Sequence, residues 1–231
     1  MIALAVFDLD GTLAAPGKAM PAEELQLLLK LEEKGTQIAI SSGKPVFYLC
    51  GFARQLGLKD PILIGENGGV LQVGVELPPP VFRKAHLPSD TAEGLRLLRR
   101  KLEEAFPDRI WYQPNETALT PFPAYQEDFP PILKLLKENI TPEMKLTIYE
   151  HPDCFDVVYS ALSKGDGIRL LSEQVGADPK DMIAVGDWTN DYPMFRAVGY
   201  SGGIDLPKPE EATVNFPDLK SALLHLLDII R

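Results

Sequence analysis

Ala3-Leu4-Ala5-Val6-Phe7-Asp8-Leu9-Asp10-Gly11-Thr12, residues 3–12, is the stretch that decides how the rest of the chain is read. Its first half has the unbroken apolar character of a strand buried on both faces, and it stops at two acids one residue apart. In open α/β sheets ligands bind outside the carboxyl ends of the strands, so acids placed there point to chemistry before they point to solvation. Gly11 breaks the strand here, which lets the turn aim Asp8 and Asp10 at one point from different angles. Two such carboxylates repel unless a cation sits between them or one is protonated, and oxygen-only ligands suit a hard ion such as magnesium. Taken alone, Asp-x-Asp is equally a capped turn or a helix N-cap. The rest of the chain decides between these readings.

The 231 residues suit one large domain or a core with a modest insert, and 45% hydrophobic residues are ample for a real core. With 23 Lys and Arg against 33 Asp and Glu, the formal charge of −10 argues against nucleic acid or a membrane surface as partner, since both need a cationic footprint. No apolar run approaches the ~20 residues of a membrane span, and the N-terminal run ends in Asp8 without a cationic leader. A soluble, cytoplasmic protein is expected. Cys50 and Cys154 do not make a disulfide framework and are expected as buried or half-buried thiols.

Strand, loop and helix then repeat. Pro21 opens a helix through Leu25, Leu28 and Leu29 that stops at Gly35, and Gln37–Ile40 reads as a second buried strand ending in Ser41-Ser42-Gly43-Lys44-Pro45. A helix from Pro45 to Gly57 leads to a third strand, Ile62-Leu63-Ile64, and Glu66-Asn67-Gly68-Gly69 feeds a hairpin through Val75. Pro78-Pro79-Pro80 is a stiff spacer and marks an expected boundary. From there to about Ala161 the order becomes helix, strand pair, helix, strand pair: Ser89 to Phe106; Arg109–Gln113 with Thr117–Thr120; Phe129–Asn139; Lys145–Glu150 with Phe155–Ser160. The first pattern resumes at Lys164, whose helix ends at Gly176, and a fourth strand, Met182–Val185, runs into Gly186-Asp187-Trp188-Thr189-Asn190-Asp191. The expected fold is α/β: a Rossmann-like, doubly wound parallel sheet formed by residues 1–80 and 162–231, with a small α+β domain inserted at residues 81–161.

A parallel sheet puts the ends of its strands at one edge, so Asp8 and Asp10, Ser41 and Ser42, and Asp187 and Asp191 can meet there, with Lys164 close by. Each part has a bland alternative: Ser before Gly is commonly a turn, a lone Lys is commonly solvated, and Asp187 and Asp191 could be a cap and a first-turn acid. The conjunction argues against them. Asp-Leu-Asp-Gly-Thr resembles the first motif of the haloacid dehalogenase-like hydrolases, Ser-Ser-Gly-Lys the second, Ser-Lys-Gly-Asp-Gly-Ile the third, and Gly-Asp-Trp-Thr-Asn-Asp the fourth. The resemblance implies a phosphatase that works through an aspartyl-phosphate on Asp8, with Asp10 as general acid and base. It further implies Mg2+ held by Asp8, the Asp10 backbone carbonyl, Asp187 and Asp191, and substrate contacts from Ser42, Gly43, Lys44, Lys164 and Asn190. The dehalogenase branch lacks the second aspartate, so Asp10 points to phosphoryl chemistry.

Fewer than ten residues separate Thr12 from Pro21, too few for a lid, whereas the α-β-β pairs fall between the third strand and Lys164. That arrangement resembles the type IIB, or Cof-like, caps, whose members include phosphoglycolate, sugar and mannosyl-3-phosphoglycerate phosphatases and phosphomannomutases. The resemblance implies a small phosphorylated metabolite as substrate; a phosphomannomutase-like phosphotransferase and a non-catalytic binding protein on the same fold are the alternatives. In the cap, alternation assigns Leu146, Ile148, Ile110 and Tyr112 to the helix side and Thr147, Tyr149, Arg109, Trp111 and Gln113 to the open side. That open side could meet a leaving group, solvent, or a second subunit in a homodimer.

Overall fold

A computed structural model of the protein describes residues 4–230; Ala3 of the expected first strand, and the outermost residues of the expected domain limits, lie outside them. The chain forms two compact units, one built from the residues up to Arg83 and from Ser163 onward, the other from Lys84–Leu162. The first begins with β1 (Leu4–Asp8), α1 (Ala22–Glu33), β2 (Gln37–Ser41), α2 (Val46–Leu56), β3 (Ile62–Gly65), β4 (Val70–Val73) and β5 (Val81–Lys84). The second contains α3 (Ser89–Ala105), β6 (Ile110–Tyr112), β7 (Ala118–Leu119), β8 (Pro121–Pro123), α4 (Phe129–Asn139), β9 (Leu146–Glu150) and β10 (Phe155–Tyr159). The first unit then resumes with α5 (Lys164–Val175), β11 (Met182–Gly186), α6 (Tyr192–Ala197), β12 (Tyr200–Ile204), β13 (Val214–Phe216) and α7 (Leu219–Ile229).

Eight strands make the first unit's sheet in the order β13-β12-β11-β1-β2-β3-β4-β5. The strands from β13 to β3 are parallel, and β4 returns antiparallel to β3. The chain winds outward from β1 in both directions, so the strand order reverses at β1, the place where such sheets open a crevice. Side-chain alternation splits β1 between two cores: Ala5 and Phe7 pack with α1, α2 and α7, Leu4 and Val6 with α5 and α6. The apolar runs within β1, β2, β3 and β11 follow from that two-sided burial.

The sheet is wider than the sequence suggests. β12 carries Gly202 and Gly203, and β13 is a three-residue Val-Asn-Phe, so neither shows the apolar run that marks β1. Pro78-Pro79-Pro80 does not end the unit, because β5 follows it and adds an eighth strand at the sheet edge.

In the second unit α3 and α4 cover one face, with Leu98, Leu102, Ile132 and Leu136 packed on Phe155 and Val157. Ile110, Tyr112, Leu146 and Ile148 join that core, while Trp111 and Tyr149 are exposed, as alternation requires. The pairing differs from the expectation of two strand pairs. β6 pairs with Pro121–Pro123 of β8, and β7 instead joins β10 and β9 in a three-stranded sheet. Prolines in β8 remove donors and confine it to a short two-stranded pairing.

The start of α5 is set by the loop after β3. Gly68 has φ 99°, and a Cβ there would fall 2.3 Å from the Ser163 carbonyl and 2.7 Å from the Gly167 nitrogen. Gly68→Ala should therefore cost at least about 3 kcal/mol, because rigid backbone must move. Gly176→Ala, with φ 67° and nothing within 4 Å, should cost only about 1 kcal/mol. Urea unfolding of the two variants checks this, and equal losses would show that left-handed strain alone explains both.

Candidate active site

Because their strands are parallel, the loops after Asp8 of β1, Ser41 of β2 and Gly186 of β11 leave the sheet at one edge. Asp8 continues the Leu4 and Val6 face, toward α5, and is only 5% exposed. Lys164, the first residue of α5 and 1% exposed, donates through Nζ to Oδ1 of Asp8 and, at 2.5 Å, to Oδ1 of Asp191. The other Asp191 oxygen accepts from the backbone N–H groups of Asp187 (3.0 Å) and Trp188 (3.1 Å). Thr12 Oγ1 donates to Asp187 Oδ1 at 2.9 Å. The helix start is fixed by a capping box in which the backbone N–H of Asp166 donates to the Ser163 side chain and the backbone N–H of Ser163 donates to the Asp166 carboxylate. Gly11, with φ 95°, is required by contact as well as by its turn: a Cβ there would fall 2.2 Å from Asp187 Oδ2.

Asp8, Asp187 and Asp191 each bring a carboxylate oxygen within 4.8 Å of the others. Lys164 bonds two of these three carboxylates, and with all three ionised an excess of two negative charges remains, which matches a divalent cation. All of the donors are oxygens, as a hard ion requires. Asp191 already accepts three hydrogen bonds, so it fits a supporting part better than a leading one.

Electrostatics follow from this crowding. Burial pushes the Asp8 carboxyl up to about 7; the Lys164 ammonium opposes this, and the charges of Asp191 and Asp187 reinforce it. Burial also raises Asp187, helped by the Asp191 charge and opposed by the Thr12 hydrogen bond. For Lys164 burial works against the charge, but Asp8 and Asp191 together outweigh it and hold the ammonium above its ordinary range. One cation between two buried anions stays charged while leaving the anions short of compensation, so the upward shifts at Asp8 and Lys164 agree.

The remaining expected residues are less closely tied. Ser41 lies opposite Asp8 in register and is buried, with no hydrogen-bond partner for its hydroxyl among the described residues. Ser42 is buried too, and its Oγ accepts from the Lys44 N–H at 3.2 Å, which is the local turn that Ser before Gly suggests. Gly43 and Lys44 are half-buried beside it. Asp10 is half-buried, and its carboxylate is not part of the three-acid cluster; the expectation for the metal concerned its backbone carbonyl. Asn190 is exposed, and its side chain makes no hydrogen bond to the cluster among the described residues. Thr12, the last residue of the first motif, carries no role in the resemblance, and its bond to Asp187 is the structure's addition to the site.

Comparison with known proteins places these features in a family. The model of the haloacid dehalogenase-like hydrolases matches residues 5–93 and 107–205. A phosphoglycolate phosphatase of Methanopyrus kandleri is 25% identical over 228 residues, covering 97% of this chain and 91% of that protein. A haloacid dehalogenase-like hydrolase from Bacteroides thetaiotaomicron superposes with a TM-score of 0.76 at 18% identity, covering 98% of this chain and all of that one. A sugar phosphatase of subclass IIB superposes at 0.66, with 18% identity over 96% of this chain and 98% of its own.

The raised Asp8 pKa makes a signed prediction. The folded, metal-free protein binds a proton at Asp8 that the unfolded chain, with its carboxyl near 3.8, has already lost. Stability from this group is therefore full below the unfolded pKa and declines as pH rises toward about 7, by at most about 1.4 kcal/mol per pH unit for one proton. In chelator, the stability of the wild type relative to Asp8→Asn should fall between pH 5 and pH 8. Chemical denaturation at several pH values measures this, and a difference independent of pH would contradict the assigned shift.

Proposed function

The chain belongs to the haloacid dehalogenase-like hydrolases, and from that membership we propose that it is a magnesium-dependent phosphomonoesterase acting on a small phosphorylated metabolite through an aspartyl-phosphate. The observation that carries this reading is the buried ammonium of Lys164 between Asp8 and Asp191, beside a third carboxylate, at the end of the central strand. Phosphoryl transfer needs a nucleophile, compensation of charge on the transferring oxygens, and a group that manages the proton. Asp8 supplies the nucleophilic oxygen: it forms a bond to phosphorus as the ester P–O bond breaks, and Asp10 gives its proton to the departing alkoxide. Asp10 then takes a proton from water, whose oxygen displaces the Asp8 oxygen from phosphorus and releases phosphate. Ser42, Gly43, Lys44, Lys164 and Asn190 are proposed to hold the substrate. Magnesium, held by Asp8, the Asp10 carbonyl and Asp187 with Asp191 in support, would supply the positive charge that lets a carboxylate approach an anionic ester.

The substrate candidates are phosphoglycolate, a sugar phosphate, or a mannosyl-3-phosphoglycerate-type ester. The similarity to the M. kandleri phosphoglycolate phosphatase along nearly the whole chain supports the first. The unit from Lys84–Leu162 is proposed as a type IIB cap that shares in substrate selection, on the strength of its place in the chain between β5 and α5.

Asp8→Asn should reduce turnover to below about a thousandth of wild type while leaving the protein folded. Wild-type activity should vanish in chelator and return with magnesium, with calcium a poor substitute because of its larger, looser shell. Steady release of inorganic phosphate from phosphoglycolate and p-nitrophenyl phosphate is the measurement. Activity of Asp8→Asn above that level would overturn the covalent step, and activity unaffected by chelator would overturn the metal. A single turnover without sustained phosphate release would favour the phosphotransferase.

A further inference from the structure

The loop after β3 carries a feature that the proposed mechanism does not use. Glu66, Asn67 and Gly68 take successive left-handed φ values of 56°, 54° and 99°. For the two that are not glycine this costs of order 1 kcal/mol or more each, and such strain collects where a loop must present a group to a ligand. The loop is pinned to the segment after β2: Glu66 N–H donates to the Lys44 carbonyl and Asn67 N–H to the Ser42 carbonyl, each at 3.0 Å. Its side chain is held there too. A Cβ on Gly43 would meet Nδ2, Oδ1 and Cγ of Asn67 at 3.3, 3.6 and 3.7 Å, so the Asn67 amide occupies the space over Gly43.

That amide is half-buried and makes no hydrogen bond among the described residues, which leaves two N–H donors unused beside the segment proposed to hold substrate. Lys44 follows Gly43 directly, is half-buried, and has no ion-pair partner among the described residues of a chain whose net charge is −10. Glu66 is only 2% exposed, so its carboxylate adds little to the accessible rim. An amide and an ammonium on two pinned loops complement a carboxylate better than a neutral hydroxyl.

Resting on the phosphomonoesterase reading, we propose that Asn67, with Lys44 beside it, forms a subsite for a carboxylate on the leaving group. The substrate class is then the phosphate monoester of a small hydroxy acid, not that of a neutral sugar. The left-handed backbone at Asn67 accepts Asp and Gly, so Asn67→Asp and Asn67→Gly change the side chain without new strain. Two esters differ only at the group in question: phosphoglycolate, and 2-hydroxyethyl phosphate, in which a hydroxymethyl group replaces the carboxylate. The wild type should prefer phosphoglycolate in kcat/KM by about tenfold or more, as expected for a hydrogen-bonded charged group.

Asn67→Asp should erase that preference, because one carboxylate would face another, and Asn67→Gly should lower it by about threefold or more. If Asn67→Asp does not fold, the ratio for Asn67→Gly, with its thermal midpoint as the check on folding, still decides. Equal kcat/KM for the two esters in the wild type, or a preference unchanged in Asn67→Gly, would overturn the subsite. Failure to hydrolyse either ester or p-nitrophenyl phosphate would instead overturn the phosphomonoesterase reading. Turnover of p-nitrophenyl phosphate with no preference between the other two would overturn the subsite alone.

Discussion

The ammonium of Lys164, 1% exposed and bonded to both Asp8 and Asp191, is the interaction on which the rest of the first unit depends. Carboxylates this close at the end of a sheet would drive one another apart or take up protons, and a cation fixed between two of them lets them stay. The same fixity makes Lys164 a structural residue. Removing one partner from a buried ion pair leaves the other charge uncompensated, at a cost of about 3–5 kcal/mol, so a loss of activity on truncating Lys164 cannot be separated from a loss of fold without a stability measurement. Its helix must begin at one place for this to work, and two features fix that place: the Ser163–Asp166 capping box and the loop contact at Gly68. The resemblance of Ser-Lys-Gly-Asp-Gly-Ile to a family motif therefore has a local physical content. Cap, cation and close-packing glycine each do a separate job within one turn.

The second unit is built on a different balance. Its helices cover one face of short strands, and the other face carries Trp111 and Tyr149 at 60% and 55% exposure. A chain of hydrogen bonds runs through it: Gln113 to Asn115, Asn115 to Thr120, Thr120 to Asp156, with His151 at 3.2 Å from the other Asp156 oxygen. Short strands with few ladder bonds gain order from such side-chain links, which tie the strand pair β6–β8 to the three-stranded sheet through Thr120, the residue between β7 and β8. Polar links of this kind hold shape without the two-sided apolar burial that the first unit uses, and they leave the face of Trp111 and Tyr149 open.

How much of this was legible in the sequence depends on what kind of signal each part leaves. β1, β2, β3 and β11 are buried on both faces and end in polar clusters, so composition alone marks both the strand and the edge where the site lies. β12 and β13 were missed because Gly202, Gly203 and Asn215 interrupt the apolar pattern; Gly203 is there for space, since a Cβ would fall 2.2 Å from Leu206. The strand partner of β6 was misassigned because Pro121 and Pro123 argue against a strand in general, and only tertiary context admits them at a short pairing. Lys164 could be placed at the edge by its position, but a buried lysine and a solvated one are spelled alike. Its complete burial, and the packing of Asn67 over Gly43, are facts of long-range contact that no local pattern encodes.

Asp8 shows why such a site is built at the centre of the sheet and not at an exposed turn. A carboxylate in water is a weak nucleophile because solvent and proton affinity are both settled in favour of a passive anion. Burial withdraws that solvation and raises the proton affinity of Asp8, to a pKa of about 7, which would strengthen the oxygen in the nucleophilic role proposed for it and also favours the protonated form that cannot attack. The two effects have to be balanced, and Lys164 balances them by donating to Oδ1, leaving the second oxygen of the carboxylate outside that bond. A cation much closer, or a second ammonium, would lower the proton affinity at the expense of basicity. A site without Lys164 would leave the acid protonated at neutral pH. Supplying part of the compensation from a fixed lysine leaves the rest to whatever else binds, so the ionisation of Asp8, the proposed nucleophile, would depend on a bound cation that completes the balance.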